Sequence, residues 1–305
     1  SPSTIAEVGR RLRIDQLVAR ALGVSRRRAG ELCAAGNVRA RGRAVDKGER
    51  AAIFEELSVF VPESAPVVPE PELPLEVRLE RPDLVVVSKP AGIPTVPIAP
   101  GERGTLAGAL LARYPEIAGI GHRPREPGVI HRLDTLTSGL VIVARTRDAF
   151  ERLVHALRAG EIEKRYLAVV SAGLPPSGAV DLPLAPDPKS RHRVRVATAK
   201  SGYRKAAETR YRVLREGGGY ALVELAAHRA FRHQVRAHLA AIGHPIVGDR
   251  VYGGPLDPRL PARHALHASY AAWAGDATRS FVVTDPAPPE FLALLRGPGE
   301  AEGAS

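Results

Sequence analysis

Apolar positions along this chain of 305 residues fall into two rhythms that change near residue 62. Ile14, Leu17, Val18 and Leu22 recur at helical spacing and predict a first helix opening at Arg13 to Val18 and ended by Gly23. Ser25 caps a second helix with Leu32 and Cys33 on its apolar face. Ala35-Gly36-Asn37-Val38-Arg39 then turns the chain into short strands reaching through Phe54 to Val61. Between Pro62 and Pro74 the periodicity lapses into prolines and glutamates, which predicts an extended, semi-rigid linker that does not pack. Beyond it, short strands such as Leu84 to Val87 and Ile162 to Val170 are scattered among a few helices. Tyr211 to Leu214 and Tyr220 to Leu225 read as a hairpin across Gly217-Gly218-Gly219. Helices are expected around Leu106, Leu110 and Leu111, behind a capping box of Asp148 and Glu151 that ends at Gly160, and near Arg232 to Ile242. The distribution predicts an α+β domain on a mixed or antiparallel sheet at 75–297, preceded by a small domain at 10–61 and a linker at 62–74.

One stretch interrupts the core pattern. In Gly128 to Thr146, Val129 and Ile130 read as the end of one buried strand and Leu140 to Val143 as the next, with Thr137-Ser138-Gly139 as the turn between them. Arg132 and Asp134 place charge at that junction, which is costly unless the charges are matched or used. Taken alone, the Arg-x-Asp string also reads as a strand-end salt bridge.

Composition narrows the partners. Lys and Arg outnumber Asp and Glu 44 to 33, a net +11, so a polyanion is expected. Nucleic acid is favoured over membrane, since no apolar run approaches the roughly 20 residues of a membrane span. The lone Cys33 excludes an intramolecular disulfide and reads as a small buried hydrophobe in a reducing cytoplasm. Arg26, Arg27 and Arg28 crowd the positive end of the second helix, which asks for an external anion. Lys89, in the Ser88-Lys89-Pro90-Ala91-Gly92 loop, and Arg132 are further candidates for RNA contact. So are Arg191, Arg193 and Arg195 in a basic strand and loop, and Arg236, four residues after Arg232 on one helix face. His228, His233 and His238 recur every five residues without a thiolate, which argues against a metal site; no metal and no cofactor are expected.

His131-Arg132-Leu133-Asp134 followed by Thr137-Ser138-Gly139 resembles the signature of the RluA family of RNA pseudouridine synthases. Four more segments resemble the family's other blocks in order: Lys89-Pro90-Ala91-Gly92, Glu163-Lys164-Arg165-Tyr166, His233 to Ala240, and Gly243 to Asp249. Residues 11 to 60 resemble the small α/β RNA-binding module first described in a small-subunit ribosomal protein. The resemblance implies a cofactor-free isomerase that converts uridines of structured RNA to pseudouridine, with ribosomal RNA the first candidate, transfer RNA the second, and a monomer expected. It implies Asp134 as nucleophile and Tyr166 against the target uracil.

Such chemistry needs an ionised carboxylate in a site that shields the detached base, with a cation beside it to offset burial. Many family members read Gly-Arg-Thr-His-Gln-Ile-Arg in the third block, the first Arg pairing with the carboxylate. Here Phe231 holds that position, so Arg232 is expected to take the role, with Arg229 or Arg236 next. Two readings of other classes stay open: a non-catalytic RNA-binding or ribosome-assembly protein on the same fold, and a nucleoside-cleaving glycosylase.

Overall fold

A computed structural model describes residues 3–5, 12–22, 25–40, 42–50, 57–60, 67–99, 101–188, 190, 193–202, 204–227, 231–260, 262–275 and 279–297. The chain forms two compact units, residues 1–64 and 65–305.

In the first unit, β1 (Ser3–Ile5) is followed by α1 (Ile14–Leu22), α2 (Arg26–Ala34), β2 (Val38–Ala40), β3 (Arg43–Ala44) and β4 (Leu57–Val59). The strands pair antiparallel in the order β1-β4-β2-β3. The helical spacing read from the sequence buries Ile14, Leu17 and Val18 against Leu32, Cys33, Val38, Leu57 and Val59. Cys33 is a free thiol within that core, and burial pushes it further toward the protonated form. The anion expected beside the arginines of α2 is partly internal. Arg26 reaches Asp15 at 3.3 Å and Arg27 pairs with Glu31 at 2.9 Å, one turn along the helix. The Arg28 side chain lies outside the described residues.

The expected unpacked linker does not persist to residue 74. Val67 and Glu70 are both buried in the second unit. The Glu70 carboxylate accepts from the Gly104 amide at 2.9 Å and the Thr105 amide at 3.3 Å, just ahead of a helix, where a negative charge is favoured. Gly108 leaves the space this carboxylate occupies.

The second unit continues with β5 (Glu76–Glu80), β6 (Leu84–Lys89), α3 (Leu106–Arg113), β7 (Ser138–Ala144), α4 (Arg147–Ala159), β8 (Ile162–Ser171) and β9 (Ser177–Asp181). There follow β10 (Leu184–Pro186), β11 (Val194–Val196), β12 (Glu208–Gly217), β13 (Tyr220–Ala226), α5 (Gln234–Ala241), β14 (Leu266–Trp273), β15 (Phe281–Thr284) and α6 (Pro289–Leu294). The expected hairpin is β12 with β13. The main sheet runs β5-β6-β7-β14-β8-β13-β12-β9, with β15 added beside β14. It is mixed, as the scattered strands predicted, because β7 and β14 pair in parallel while the other neighbours are antiparallel.

Both faces of the central strands are covered. Val85, Val87, Val141 and Val143 face one core with Leu106, Leu110 and Phe291; Val86, Ile142 and Leu140 face another with Phe150, Leu153 and Ile162. Strands covered twice read as continuous apolar runs, which explains why β6 and β7 show no alternation in the sequence.

Three local expectations are corrected. Ser138 and Gly139 belong to β7 rather than to a turn, and Gly139 lies at φ +108° with its Cα against the Ala268 backbone. A side chain there would collide with Ala268, so the glycine marks a close strand approach. Val129 makes only a bridge to Val143, so Val129 and Ile130 do not form a strand. The α4 cap is Thr146, whose hydroxyl accepts from the Ala149 amide at 3.2 Å, in place of the expected Asp148.

Candidate active site

β7 and β14 touch as strands over only two pairs, Ser138 with His267 and Gly139 with Ala268. The loop that carries Asp134 enters the sheet at this junction, and its hydrogen bonds fix it from both sides. Lys89 donates from Nζ to the carbonyls of Pro90 at 2.7 Å, Ile93 at 2.9 Å and Thr135 at 3.2 Å. The Thr95 hydroxyl bridges the Leu133 carbonyl at 2.9 Å and the Leu133 amide at 3.1 Å. On the far side, Thr137 Oγ1 meets His264 Nε2 at 2.8 Å, and Ser138 Oγ meets Arg263 Nη2 at 2.7 Å and His267 Nδ1 at 2.8 Å.

Asp134 stands above this base with its side chain 29% exposed. Its Oδ2 accepts from Arg236 Nη1 at 2.7 Å and has His233 Nε2 at 3.5 Å. Arg236 is itself held by Asp249, through Nε to Oδ2 at 2.6 Å and Nη2 to Oδ1 at 2.8 Å. The guanidinium fork therefore lies between two carboxylates, one buried and one open to solvent. Burial works against the charge on both Arg236 and Asp249, yet their mutual bonds raise the arginine above its usual value and hold the Asp249 carboxyl below its own. Tyr166, on β8, is buried beside this pair; burial first and the Asp134 charge second push its hydroxyl up to about 12, so the phenol stays neutral.

The expected partnership of Asp134 with Arg232 is corrected: the guanidinium on the carboxylate is that of Arg236. α5 begins at Gln234, two residues later than expected, so Arg232 is not on its face and is exposed. Arg236 sits in the first helical turn, pointing inward with 4% exposure. His233, the residue before the helix, has φ +56°, an uncommon conformation for a side chain with a Cβ.

Lys89 is likewise corrected as an RNA contact. It is fully buried, and its three carbonyl acceptors match the three protons of an ammonium. Burial pulls it down to about 7, with Arg263 adding to the shift and Asp134 opposing it. Arg132 pairs with Glu126 at 2.8 Å rather than with Asp134, and its side chain is 57% exposed. Arg193 pairs with Asp187 at 3.4 Å and lies over the Tyr252 ring. Arg195 donates to the Val196 carbonyl and Ser201 Oγ, both at 3.2 Å. Arg191, with Arg229, falls outside the described residues.

Asp249, His264 and Tyr252 carry no assigned role in the sequence reading. Asp249 closes the Gly243 to Asp249 block, which was the available signal; nothing in the local pattern marks the other two. No three His, Cys, Asp or Glu side chains converge among the described residues as a metal site would require.

Residues 83–241 match the family described as RNA pseudouridylate synthase. Over 286 residues the chain is 36% identical to ribosomal large subunit pseudouridine synthase D of Yersinia pestis, covering 88% of this chain and 84% of the relative. It is 45% identical over 184 residues to an uncharacterized RNA pseudouridine synthase of Chloroflexus aurantiacus, covering 60% of this chain and 56% of that one. Among solved structures, human RNA pseudouridylate synthase domain containing 1 superposes with TM-score 0.59 at 26% identity, over 72% of this chain and 87% of the other.

Proposed function

The chain belongs to the family of RNA pseudouridine synthases, isomerases that act on RNA, and from that premise we propose that it converts uridines of ribosomal RNA with Asp134 as the nucleophile. The carrying observation is the Asp134 carboxylate, 29% exposed and hydrogen-bonded at 2.7 Å to a guanidinium that Asp249 holds in place. A fixed partner aims the carboxylate without a change of geometry during reaction. The isomerisation breaks the bond from C1′ to N1 of uracil and forms one from C1′ to C5, with the C5 proton lost and N1 gaining one, so mass is unchanged. A stacked uridine cannot reach this loop, so the nucleotide must leave its helix, and Tyr166 offers a neutral aromatic face to the released base.

Relatives named for the ribosomal large subunit support that RNA as substrate. The first unit is read as a docking module of the small ribosomal-protein type, with Arg26 and Arg27, whose side chains are 56% and 76% exposed, facing phosphates. The lone buried Cys33 fits work in the cytoplasm.

Mapping pseudouridines in ribosomal RNA from cells with and without this protein, using a reagent that marks the isomerised base, tests the substrate. Positions lost without the protein and restored by purified wild type, while Asp134→Asn restores none, are the expected result. Restoration by Asp134→Asn above about a thousandth of the wild-type rate overturns Asp134 as nucleophile.

A further inference from the structure

The imidazole beside Asp134 has its protonation fixed by its other neighbours. The Tyr252 hydroxyl lies 3.0 Å from the Val194 carbonyl, 3.2 Å from the Val194 amide and 3.3 Å from His233 Nδ1. A phenol has one proton to give. The Val194 amide can only donate and the Val194 carbonyl can only accept, so the phenolic proton goes to that carbonyl. His233 Nδ1 must then donate to the phenol. Val194 is free to make both contacts because its partner across β10 and β11 is Pro186, which has no amide proton to give, while the Asp187 amide bonds to the neighbouring Arg193 carbonyl at 3.1 Å.

With Nδ1 carrying the proton, Nε2 presents a lone pair toward the Asp134 carboxylate, 3.5 Å away. That carboxylate oxygen already accepts from Arg236 Nη1 at 2.7 Å, so the lone pair that lacks a donor is the one on Nε2. Burial, with the Arg236 and Arg232 charges adding and the Asp134 and Asp249 charges opposing, holds His233 down at about 4, so the ring does not supply that donor itself near neutrality. The position is also kept against backbone preference, at φ +56°.

We propose that His233 is a specificity-determining residue whose Nε2 accepts a hydrogen bond from the ribose 2′-hydroxyl of the target nucleotide, so that the site distinguishes RNA from DNA at the reacting position. A uridine within an RNA strand, its 3′ and 5′ oxygens esterified, offers two donors, uracil N3–H and the 2′-hydroxyl. The 2′-hydroxyl stands on the carbon next to C1′, whose bond is the one exchanged, while N3–H points away across the ring. The inference rests on the reading that Asp134 lies at the reacting nucleotide.

The test uses the full chain and a synthetic RNA hairpin holding the mapped uridine, beside hairpins with a single 2′-deoxyuridine or 2′-O-methyluridine there. Single-turnover rates at saturating protein are compared; affinities are compared in an Asp134→Asn background, where the RNA is not consumed. Wild type is expected to favour the ribose hairpin by roughly 10- to 100-fold, since losing the donor leaves a buried acceptor unpaired. His233→Gly, which suits the positive φ, should bring the ratio to within about threefold of one. Tyr252→Phe, which keeps the ring and frees the imidazole, should give an intermediate ratio. No preference in wild type, or a full preference retained by His233→Gly in rate and affinity, overturns the proposal. Turnover by Asp134→Asn would remove the nucleophile assignment instead, and the rate ratios would still decide the role of His233.

Discussion

Arg236 is shared by two carboxylates, and only one of them faces the solvent. Asp249 takes Nε and Nη2, leaving Nη1 for Asp134. Asp249→Asn removes the charge that fixes the fork, so the saturating single-turnover rate is expected to fall roughly 10- to 100-fold while RNA affinity changes less than about threefold. Arg236→Lys should do at least as much damage, because a point charge cannot serve both carboxylates. Arg232→Ala should leave the rate unchanged; a fall in rate with an altered pH profile would return Arg232 to the site. Lys89→Met strips three carbonyls of their donor in a buried loop, at a cost of about 3 kcal/mol or more, visible as a lower urea midpoint. His264 contributes to the acid limb, together with His131 and His233, which burial holds at about 3 and about 4. Burial holds His264 at about 4, below its ordinary 6.5, so the unfolded chain binds more protons between those values. Its share of the stability is full above about 6.5 and is lost as pH falls through 4; His264→Gln should make the decline in urea midpoints from pH 7 to 4 shallower by that share.

At the scale of elements, Gly139 joins the two halves of the sheet. Gly139→Ala sets a Cβ against the Ala268 backbone at a φ that disfavours it, and should cost about 3 kcal/mol or more, with loss of activity. A circular-dichroism melt unchanged from wild type would show that the strands can part without consequence. Thr146→Ala removes the α4 cap and should cost about 1 kcal/mol. Thr146 and Asp148 are both able to cap, and the choice follows from β7, which runs to Ala144 and fixes Arg145 on the Asp83 carbonyl at 2.8 Å. The helix end was legible because Gly160 adopts φ +81°, a conformation that glycine alone takes freely.

For the whole molecule, the packing of Val67 and Glu70 decides where the chain can be cut. A protein starting at residue 65 is expected to fold, to bind RNA more weakly, and to show a shallower salt dependence, because the arginines of α2 no longer displace counterions. An unchanged salt slope would overturn the docking role proposed for the first unit. A protein starting at residue 71 should be less stable by about 2 to 3 kcal/mol than one starting at 65, since the Gly104 and Thr105 amides lose the Glu70 carboxylate.

Local patterns were enough for the class of this protein. Helical spacing at Ile14, Leu17 and Val18, the glycine hairpin at 217–219 and the His131 to Gly139 string depend on neighbours within a few residues, and they led to the mixed α+β fold and the family. Contacts between distant segments decided the rest. Nothing near Arg236 in the chain announces Asp134, 102 positions away, or distinguishes it from Arg232; a helix starting at Gln234 instead of Arg232 selects which guanidinium turns inward. Lys89 reads as a phosphate contact until three carbonyls close around it, and Ser138 and Gly139 read as a turn until β14 pairs with them. A side chain's partner is set by the register of the elements that carry it, and that register exists only when the sheet is assembled.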